Sequence, residues 1–400
     1  MAIKPNMYRI GFHSFYGFHY SMLEPIYSRL REHYHCLITS NLKELISFKP
    51  QILITADERR YLYRQLLPDT VLVWIRHGFA SKNVLGKAIN GSDFTCISSE
   101  SIRDEYINKR WQPCLGYWVT GFVPMDAVFR SIARPNKSLI PNDFLKGNVT
   151  ILYAPTYNRN FNSVEMLGEN WIEKIRELQP GVNVIIKPHP HIPRLFPHYM
   201  QMWQRMMQKN ERVLIIQDPN ANIYDYLPLV DILISDASSV MFYFLALDKP
   251  IIVLNNPLRQ KDVEHYDPEG PEWAWRDCAI QLDRATDLPE SLVMSINNPD
   301  IKAKERAFYR EIIFGKYCDG QAADRIADKV RALIEPKPEE TAWVEDCWKK
   351  FRESKRVSLA GKVFANIWLI LSPFSLVSER YPVLKKTKYF FKKIMPTFPQ

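Results

Sequence analysis

The sequence predicts an α/β protein whose 400 residues form two domains built on parallel β-strands. Two observations support this fold class besides the length. Apolar runs such as residues 71–75 (VLVWI) and 230–235 (VDILIS) lack the alternation of half-exposed strands, as expected for parallel strands covered on both faces. The second run leads into a polar step, an apolar helix and another buried strand at 251–254, which is the order of a β-α-β unit.

The first half of the chain supplies the predicted strands of an amino-terminal domain. Residues 8–12 come first, and a loop that contains His13 connects them to a helix expected over 22–33. Further strand candidates follow at 36–39, 52–55, 71–75, 94–97 and 118–119. This half contains neither Gly-x-Gly-x-x-Gly nor the Gly-Lys-Ser/Thr end of a Walker loop, so a dinucleotide or ATP site is not predicted.

The second half repeats the pattern after a proline-containing connection. Strand candidates lie at 149–152, 182–186, 230–235 and 251–254, and a helix is expected from 319 to 333. We therefore predict an amino-terminal domain over 1–125, a linker over 126–148, a carboxyl-terminal domain over 149–335 and a tail over 336–400.

An oxyanion site is predicted where the strand at 230–235 gives way to a short helix. Asp236 follows the strand, and Ser238 and Ser239 lie in the expected first turn of the helix. The backbone N–H groups of a first helical turn have no partner within the helix, and together with two hydroxyls they can hold a phosphate. Serine and aspartate are also ordinary helix caps, so this segment alone leaves both interpretations open.

Two histidines follow other strand candidates in the same way. His189 lies in Lys187-Pro188-His189-Pro190 after the strand at 182–186, and His77 begins a loop that continues to Lys82 after the strand at 71–75. Ligands of open α/β sheets bind at the carboxyl ends of the strands. A lone loop histidine is more often structural, but two of them, each with a lysine nearby, favour one shared site.

The motifs together resemble a known family. They are His77-Gly78 with Lys82, residues 151–156 (ILYAPT), Lys187-Pro188-His189-Pro190, Ser235-Asp236-Ala237-Ser238-Ser239, and Asp319-Gly320 with Ala322. In this order they resemble the CDP-glycerol glycerophosphotransferases of teichoic-acid type over residues 71–330. The resemblance implies a glycosyltransferase-B-like architecture of two Rossmann-like domains with a central cleft. The first domain would face the acceptor, and the second would hold a CDP-activated donor.

The resemblance also implies roles for individual residues. His77 matches the family's general base, His189 matches the histidine at the donor phosphates, and Ser238 with Ser239 match its phosphate-binding serines. The chemistry agrees, because histidine titrates near neutral pH and Lys187 can neutralise phosphate charge.

Further residues are predicted around the same site. Asp236, Thr156 and Arg159 are expected as phosphate contacts, and the other candidates are Gly78, Lys82, Asp319, Gly320 and His13. Some of these have an alternative interpretation. Asp319 is as readily explained as a helix N-cap, and the loop at 153–160 as a solvated connection. His13 is more commonly explained as a surface histidine. No metal site is predicted, because the acidic residues are not clustered, and no cofactor is expected beyond the CDP-alditol substrate.

The resemblance thus implies an enzyme that builds a cell-surface polymer such as teichoic acid or capsule. It would transfer glycerol phosphate, or a related alditol phosphate, from a CDP-activated donor to a hydroxyl of a lipid-linked glycan acceptor and release CMP. One alternative is a nucleotide-sugar glycosyltransferase or epimerase of the same fold. Another is a non-catalytic protein that binds a sugar phosphate or a lipid.

The positive charge of the chain belongs to its carboxyl-terminal tail. Residues 349–400 hold 12 Lys or Arg and 2 acids, so the net charge of +9 leaves residues 1–348 close to neutral. Nucleic acid is not a predicted partner, because the body lacks a basic stripe. The apolar segment 363–377 is shorter than the roughly 20 residues of a bilayer span, so residues 349–400 are expected to lie on an anionic membrane surface. The alternative is that this basic amphipathic helical tail packs back on the body.

Cysteine usage and the amino terminus predict the compartment. The six cysteines show no Cys-x-x-Cys spacing, which is typical of reduced thiols, and the first residues contain no long apolar stretch. We expect a cytoplasmic protein that is peripheral on the inner face of the cell membrane.

Overall fold

The computed structural model describes residues 8–57, 60–79, 85–141, 144–145, 148–354, 361–362 and 365–366. Within these ranges the chain forms two parallel sheets of six strands each. The first comprises β1 (Arg9–His13), β2 (His35–Thr39), β3 (Ile52–Thr55), β4 (Val71–Ile75), β5 (Phe94–Ile97) and β6 (Gly116–Val119). The second comprises β7 (Thr150–Ala154), β8 (Asn183–Ile186), β9 (Val213–Ile215), β10 (Ile232–Ser235), β11 (Ile251–Leu254) and β12 (Ile280–Leu282).

Both sheets have the strand order of a doubly wound fold. The first runs β2-β1-β3-β4-β5-β6 and the second β12-β11-β10-β7-β8-β9. In each sheet the first strand of the domain lies inside the sheet, and strands are added on both sides of it. The predicted α/β class with two parallel-sheet domains is therefore confirmed.

Helices connect successive strands, and within the described residues four more helices follow the last strand, β12. In the first half they are α1 (Tyr20–Leu30), α2 (Leu42–Phe48), α3 (Arg60–Leu66), α4 (Leu85–Asn90), α5 (Glu100–Asn108) and α6 (Asp126–Ser131). In the second half they are α7 (Val164–Leu167), α8 (Trp171–Leu178), α9 (Ile192–Leu195), α10 (Pro197–Lys209), α11 (Val240–Phe244), α12 (Pro271–Ala274), α13 (Leu288–Asn297), α14 (Ala303–Phe314), α15 (Ala322–Ile334) and α16 (Thr341–Glu353).

The predicted strands agree with the structure, whereas two observed strands were not predicted. β9 and β12 have three residues each and lie at the two edges of the second sheet, so neither carries a long apolar run. The first helix begins at Tyr20 and ends at Leu30, slightly earlier than the sequence pattern predicts. All five residues of β4 are buried, as expected for a strand covered on both faces.

Helix α15 follows the second sheet in sequence but packs against the first. Its apolar face, which includes Ile326 and Val330, joins the core cluster that contains Ile10 and Val73. The carboxylate of buried Asp126 accepts the N–H groups of Ala322 and Ala323, each at 2.9 Å, and so satisfies two free amides at the start of α15. The expected N-cap, Asp319, instead accepts the N–H of Gln321 and forms an ion pair with Arg325.

The described part of the tail packs on the first domain. Phe351 in α16 is buried in the same cluster as Ile326, and Ala365 is buried among apolar residues of α2, α3, β3 and β4. The apolar segment 363–377 lies mostly outside the described residues. None of the helices that the structure describes is long and apolar enough to cross a membrane.

Candidate functional site

A cleft of about 1250 Å³ lies between the two sheets, and the loops at the carboxyl ends of their strands line it. From the first sheet it receives loops that follow β1, β3 and β4, with residues 90–93, 112 and 114 before β5 and β6; from the second sheet it receives loops that follow β7, β8, β9 and β10. The cleft contains the following predicted residues: His77, Gly78, Thr156, Lys187, His189, Ser238 and Ser239. The structure therefore brings the central predicted motifs together in one cavity.

His77 is held in a tautomer that suits a base. Its Nδ1 lies 3.3 Å from the carbonyl oxygen of Ala56, at the end of β3. A carbonyl oxygen only accepts hydrogen bonds, so Nδ1 carries the proton in the neutral ring and Nε2 keeps its lone pair. The lone pair on Nε2 is the group that can take a proton from a hydroxyl.

His189 is held in the opposite tautomer. Its Nδ1 accepts the backbone N–H of His191 at 3.2 Å, so Nδ1 keeps its lone pair and Nε2 carries the proton. Residues 188 and 190 are both proline, which fixes the backbone on each side of the ring. The cleft therefore contains one imidazole suited to accept a proton and one suited to donate a hydrogen bond.

A series of aromatic rings connects these two histidines across the cleft. The ring of His77 lies 4.9 Å from that of His19, and His19 lies 5.5 Å from Tyr16. Tyr16 reaches His191 of the second domain at 6.3 Å, and His191 lies 5.1 Å from His189. The loop after β1 therefore spans the cleft and forms one of its walls.

Lys187 supplies positive charge at the end of β8. Lys187 is only 4% exposed. Burial lowers the pKa of its ammonium group to about 8, although the negative charge of Asp218 opposes that shift. The Nζ atom donates to the carbonyl oxygen of Pro188 at 3.3 Å. A buried ammonium group with weak charge compensation is well suited to an anionic ligand.

Asp236 lies beside the cleft but does not line it. Its carboxylate accepts the N–H of Thr156 at 2.8 Å, and the N–H and hydroxyl of Ser163 at 2.9 and 3.0 Å. Burial raises its pKa to about 7, while these hydrogen bonds and the nearby Arg276 oppose the rise. The carboxylate holds the loop after β7 against β10 and so places Thr156 in the cleft.

The two domains touch at the centre of the cleft. A Cβ atom added at Gly78 would lie 3.1 Å from the hydroxyl oxygens of both Ser239 and Tyr243. A side chain at this position would crowd both hydroxyls, so glycine favours the close approach of the His77 loop to the Ser239 loop. The serines immediately precede α11, with Ser239 at its N-cap position, rather than lying within its first turn.

Four other predicted residues do not line the cleft. Arg159 is exposed and forms an ion pair with Glu165, and Asp319 pairs with Arg325. Gly320 has a φ of +72°, and an added Cβ would lie 2.8 Å from the carbonyl oxygen of Asp126, so it serves helix packing. His13 does not line the cleft but is fully buried, with its Nδ1 2.7 Å from the hydroxyl of Tyr63.

The last of the predicted residues, Lys82, lies outside the described residues. Across the part of the chain that is described, no group of three or more metal-ligating side chains was found. All six cysteines are free thiols.

Several residues of the cleft were not predicted as site residues. Asp57, the second residue after β3, is 2% exposed and accepts the N–H of Phe15 at 2.9 Å and the hydroxyl of Tyr63 at 3.3 Å. The sequence could have identified Asp57 as a site residue, because Asp57 follows β3 at the same distance at which His77 follows β4. Tyr243 lies inside an apolar helix, and no sequence pattern marks it.

Comparison with known proteins gives a family match over half of the chain. The family described as CDP-glycerol:poly(glycerophosphate) glycerophosphotransferase matches residues 119–332. A teichoic acid glycerol-phosphate primase of Bacillus subtilis (strain 168) is 28% identical over 208 residues, which are 50% of this chain and 48% of that protein. The chain therefore matches about half the length of this curated relative.

Solved structures share the fold at low identity. The wall teichoic acid polymerase TagF aligns over 84% of this chain and 91% of its own, with a TM-score of 0.60 and 13% identity. The UDP-GlcNAc 2-epimerase from Neisseria meningitidis bound to UDP-GlcNAc aligns over 81% of this chain and 99% of its own, with a TM-score of 0.54 and 15% identity. These likenesses confirm the predicted glycosyltransferase-B-like architecture.

Proposed function

Because the chain belongs to the CDP-glycerol:poly(glycerophosphate) glycerophosphotransferase family, we propose that it transfers glycerol phosphate, or a related alditol phosphate, from a CDP-activated donor to a hydroxyl acceptor. The observation that carries this proposal is the pair of complementary imidazoles, His77 and His189, in one cleft with buried Lys187. Transfer from a diphosphate to a hydroxyl needs a base, a group that donates to phosphate oxygens, and positive charge.

In the proposed reaction, Nε2 of His77 takes the proton of the acceptor hydroxyl. The acceptor oxygen forms a bond to the β-phosphorus of the CDP-alditol, and the bond from that phosphorus to the bridging oxygen breaks. The bridging oxygen leaves with CMP and carries the negative charge that develops. The Nε2–H of His189 and the ammonium group of Lys187 stabilise that charge through hydrogen bonds to the phosphate oxygens.

The hydroxyls of Ser238, Ser239 and Thr156 complete the proposed phosphate site. All three residues line the cleft on the side of the second sheet, as Lys187 and His189 do. The cluster contains hydrogen-bond donors from three different loops, so a diphosphate would be oriented as well as neutralised. The proposal needs no cofactor other than the nucleotide-activated substrate.

The first experiment identifies the activated substrate. The purified protein is incubated with a hydroxyl acceptor and CDP-glycerol, CDP-ribitol or UDP-GlcNAc, and released CMP or UDP is measured. We expect CMP from a CDP-alditol and no UDP. Release of UDP, or conversion of UDP-GlcNAc to an epimer, would instead favour the alternative enzymes of this fold.

Substitution of the base tests the catalytic assignment. We expect His77→Ala to lower CMP release by about 10²–10⁴-fold, the usual contribution of a positioned base. His33→Ala is the matched control, because His33 is exposed and does not line the cleft. Unchanged turnover in His77→Ala would contradict the mechanism, and binding without turnover in the wild-type protein would favour the non-catalytic alternative.

We further propose that the acceptor is a lipid-linked glycan and that the protein is peripheral on the inner face of the cell membrane. The support is the basic tail, with 12 Lys or Arg in residues 349–400. Clustered basic residues near anionic lipid contribute about 1 kcal/mol each. Such binding would place the cleft beside a membrane-linked acceptor.

Deletion of the tail tests membrane attachment. The deletion starts at residue 367, because Phe351 and Ala365 are buried in the first domain. We expect the full chain to sediment with anionic liposomes at low salt, and the truncated protein, which keeps six of the 12 basic residues, to sediment less. Equal sedimentation of the two proteins would contradict attachment through this segment.

A further inference from the structure

Tyr243 connects the two loops that carry the proposed chemistry. It lies on α11 of the second domain, is 4% exposed and lines the cleft. Its hydroxyl donates to the carbonyl oxygen of His77 in the first domain, at 3.3 Å. The oxygen atom of the same hydroxyl accepts hydrogen bonds from the hydroxyls of Ser239 and Tyr224.

The ring of Tyr243 is fixed independently of its hydroxyl. It stacks on Phe122 at 5.6 Å with an interplanar angle of 21°, and it contacts Tyr224 at 4.9 Å and Phe79 at 6.0 Å. Phe79 and Phe122 belong to the first half of the chain, whereas Tyr224 belongs to the second. The aromatic packing therefore holds the hydroxyl at the contact between the domains.

His77 is consequently anchored at two points. Its Nδ1–H donates to Ala56 within the first domain, and its backbone carbonyl accepts from Tyr243 of the second. Gly78, the next residue, lies against the hydroxyls of Tyr243 and Ser239. One tyrosyl oxygen thus links the backbone of the base directly to the loop that carries Ser239.

We propose that Tyr243 is a positioning residue, which ties the His77 loop to the Ser239 loop and so sets the distance from the base to the β-phosphorus. This inference rests on the proposed function. The bond is made to the backbone of His77, so Tyr243 acts through the base. Proton transfer and attack depend steeply on such distances, and a displacement of an ångström can lower a rate by orders of magnitude.

Tyr243→Phe is the direct test, because it removes the hydroxyl and keeps the ring. We expect kcat for CMP release to fall about tenfold, since the loops can then shift by a fraction of an ångström. The KM for CDP-glycerol should stay within about twofold, because every side chain proposed to contact the phosphates is retained. Tyr309→Phe is the matched control, since Tyr309 lies in the same apolar cluster and its hydroxyl bonds Asp277 at 2.7 Å, away from the cleft.

A double substitution separates positioning from general loss of structure. Gly78→Ala adds a methyl group 3.1 Å from the hydroxyl of Tyr243, so we expect it to push the two loops apart and lower kcat. Tyr243→Phe removes one of the two atoms that the methyl group would crowd. The kcat of the double variant should therefore lie within about threefold of the kcat of the slower single variant. If the two sites were independent, the two reductions in kcat would instead multiply.

The outcomes separate this inference from the proposed function. Wild-type protein that releases no nucleotide from any activated substrate would overturn both. Wild-type turnover with an equally fast Tyr243→Phe variant would overturn the positioning role alone. An equal loss in Tyr309→Phe, a rise in KM without a fall in kcat, or multiplied effects in the double variant would also overturn it.

Discussion

The titration of Lys187 should make the proposed activity fall at alkaline pH. Burial lowers the pKa of its ammonium group to about 8. The charged form is therefore present below this value and is lost as the pH rises through it. With such a pKa, about 90% of the side chains are charged at pH 7 and about 10% at pH 9.

A phosphate site that requires the charged lysine should follow this titration. We expect kcat/KM for CDP-glycerol to fall about tenfold between pH 7 and pH 9, which corresponds to about 1.4 kcal/mol. The diphosphate raises the pKa of a lysine that it contacts, so kcat should begin to fall at a higher pH than kcat/KM does.

Lysine substitutions identify the group that titrates. Lys187→Met should lower kcat/KM about 10- to 100-fold at pH 7, because it removes a charged hydrogen bond of about 1.5–3 kcal/mol. Lys187→Arg keeps a positive charge throughout this pH range, so its remaining activity should no longer fall near pH 8. A kcat/KM that stays flat to pH 9, or that falls alike in wild type and Lys187→Arg, would refute the reasoning.

Unfolding does not explain the expected fall. The pKa of Lys187 is lower in the folded chain than its ordinary value of 10.5, so the unfolded chain binds more protons between pH 8 and 10.5. This group therefore makes the free energy of unfolding rise with pH across that window. A urea midpoint that is no lower at pH 9 than at pH 7 is the control measurement.

Three further predictions follow from the same contacts. The double substitution of Ser238→Ala and Ser239→Ala should raise the KM for CDP-glycerol about tenfold or more, because two hydrogen bonds to phosphate of about 1 kcal/mol each are lost. Steady-state kinetics of CMP release measure this KM. Asp236→Asn presents an amide where three N–H or O–H groups need an acceptor, so the free energy of unfolding should fall by about 1–3 kcal/mol in urea titration. Asp126→Ala removes the acceptor of two N–H groups at the start of α15 and should lower the same quantity by about 1–2 kcal/mol, while an unchanged urea midpoint would contradict the capping role.

The sequence was most informative where a buried strand leads into a polar loop. His77, His189 with Lys187, and Ser238 with Ser239 each follow such a strand, and all five line the cleft. Parallel strands end at the same edge of a sheet, so the position of a residue after a strand predicts its location without any knowledge of distant contacts.

The same rule failed where side-chain direction decides the role. Asp236 follows β10 just as His77 follows β4, yet its carboxylate turns towards the backbone of Thr156 and Ser163. Arg159 lies in a loop next to the cleft, yet it pairs with Glu165 on the surface. Local sequence does not specify which neighbour a polar side chain will meet, because that neighbour comes from another part of the chain.

By itself, the sequence determined the α/β class, the two domains' parallel strands and the loops that carry the histidines, lysine and serines. These follow from local burial patterns, which each short segment expresses on its own. Only the tertiary structure decided the tautomers of His77 and His189, the capping of α15 by Asp126 and the contact of Tyr243 with the His77 loop. Each of these depends on atoms that packing brings together from distant segments, so no local pattern records them.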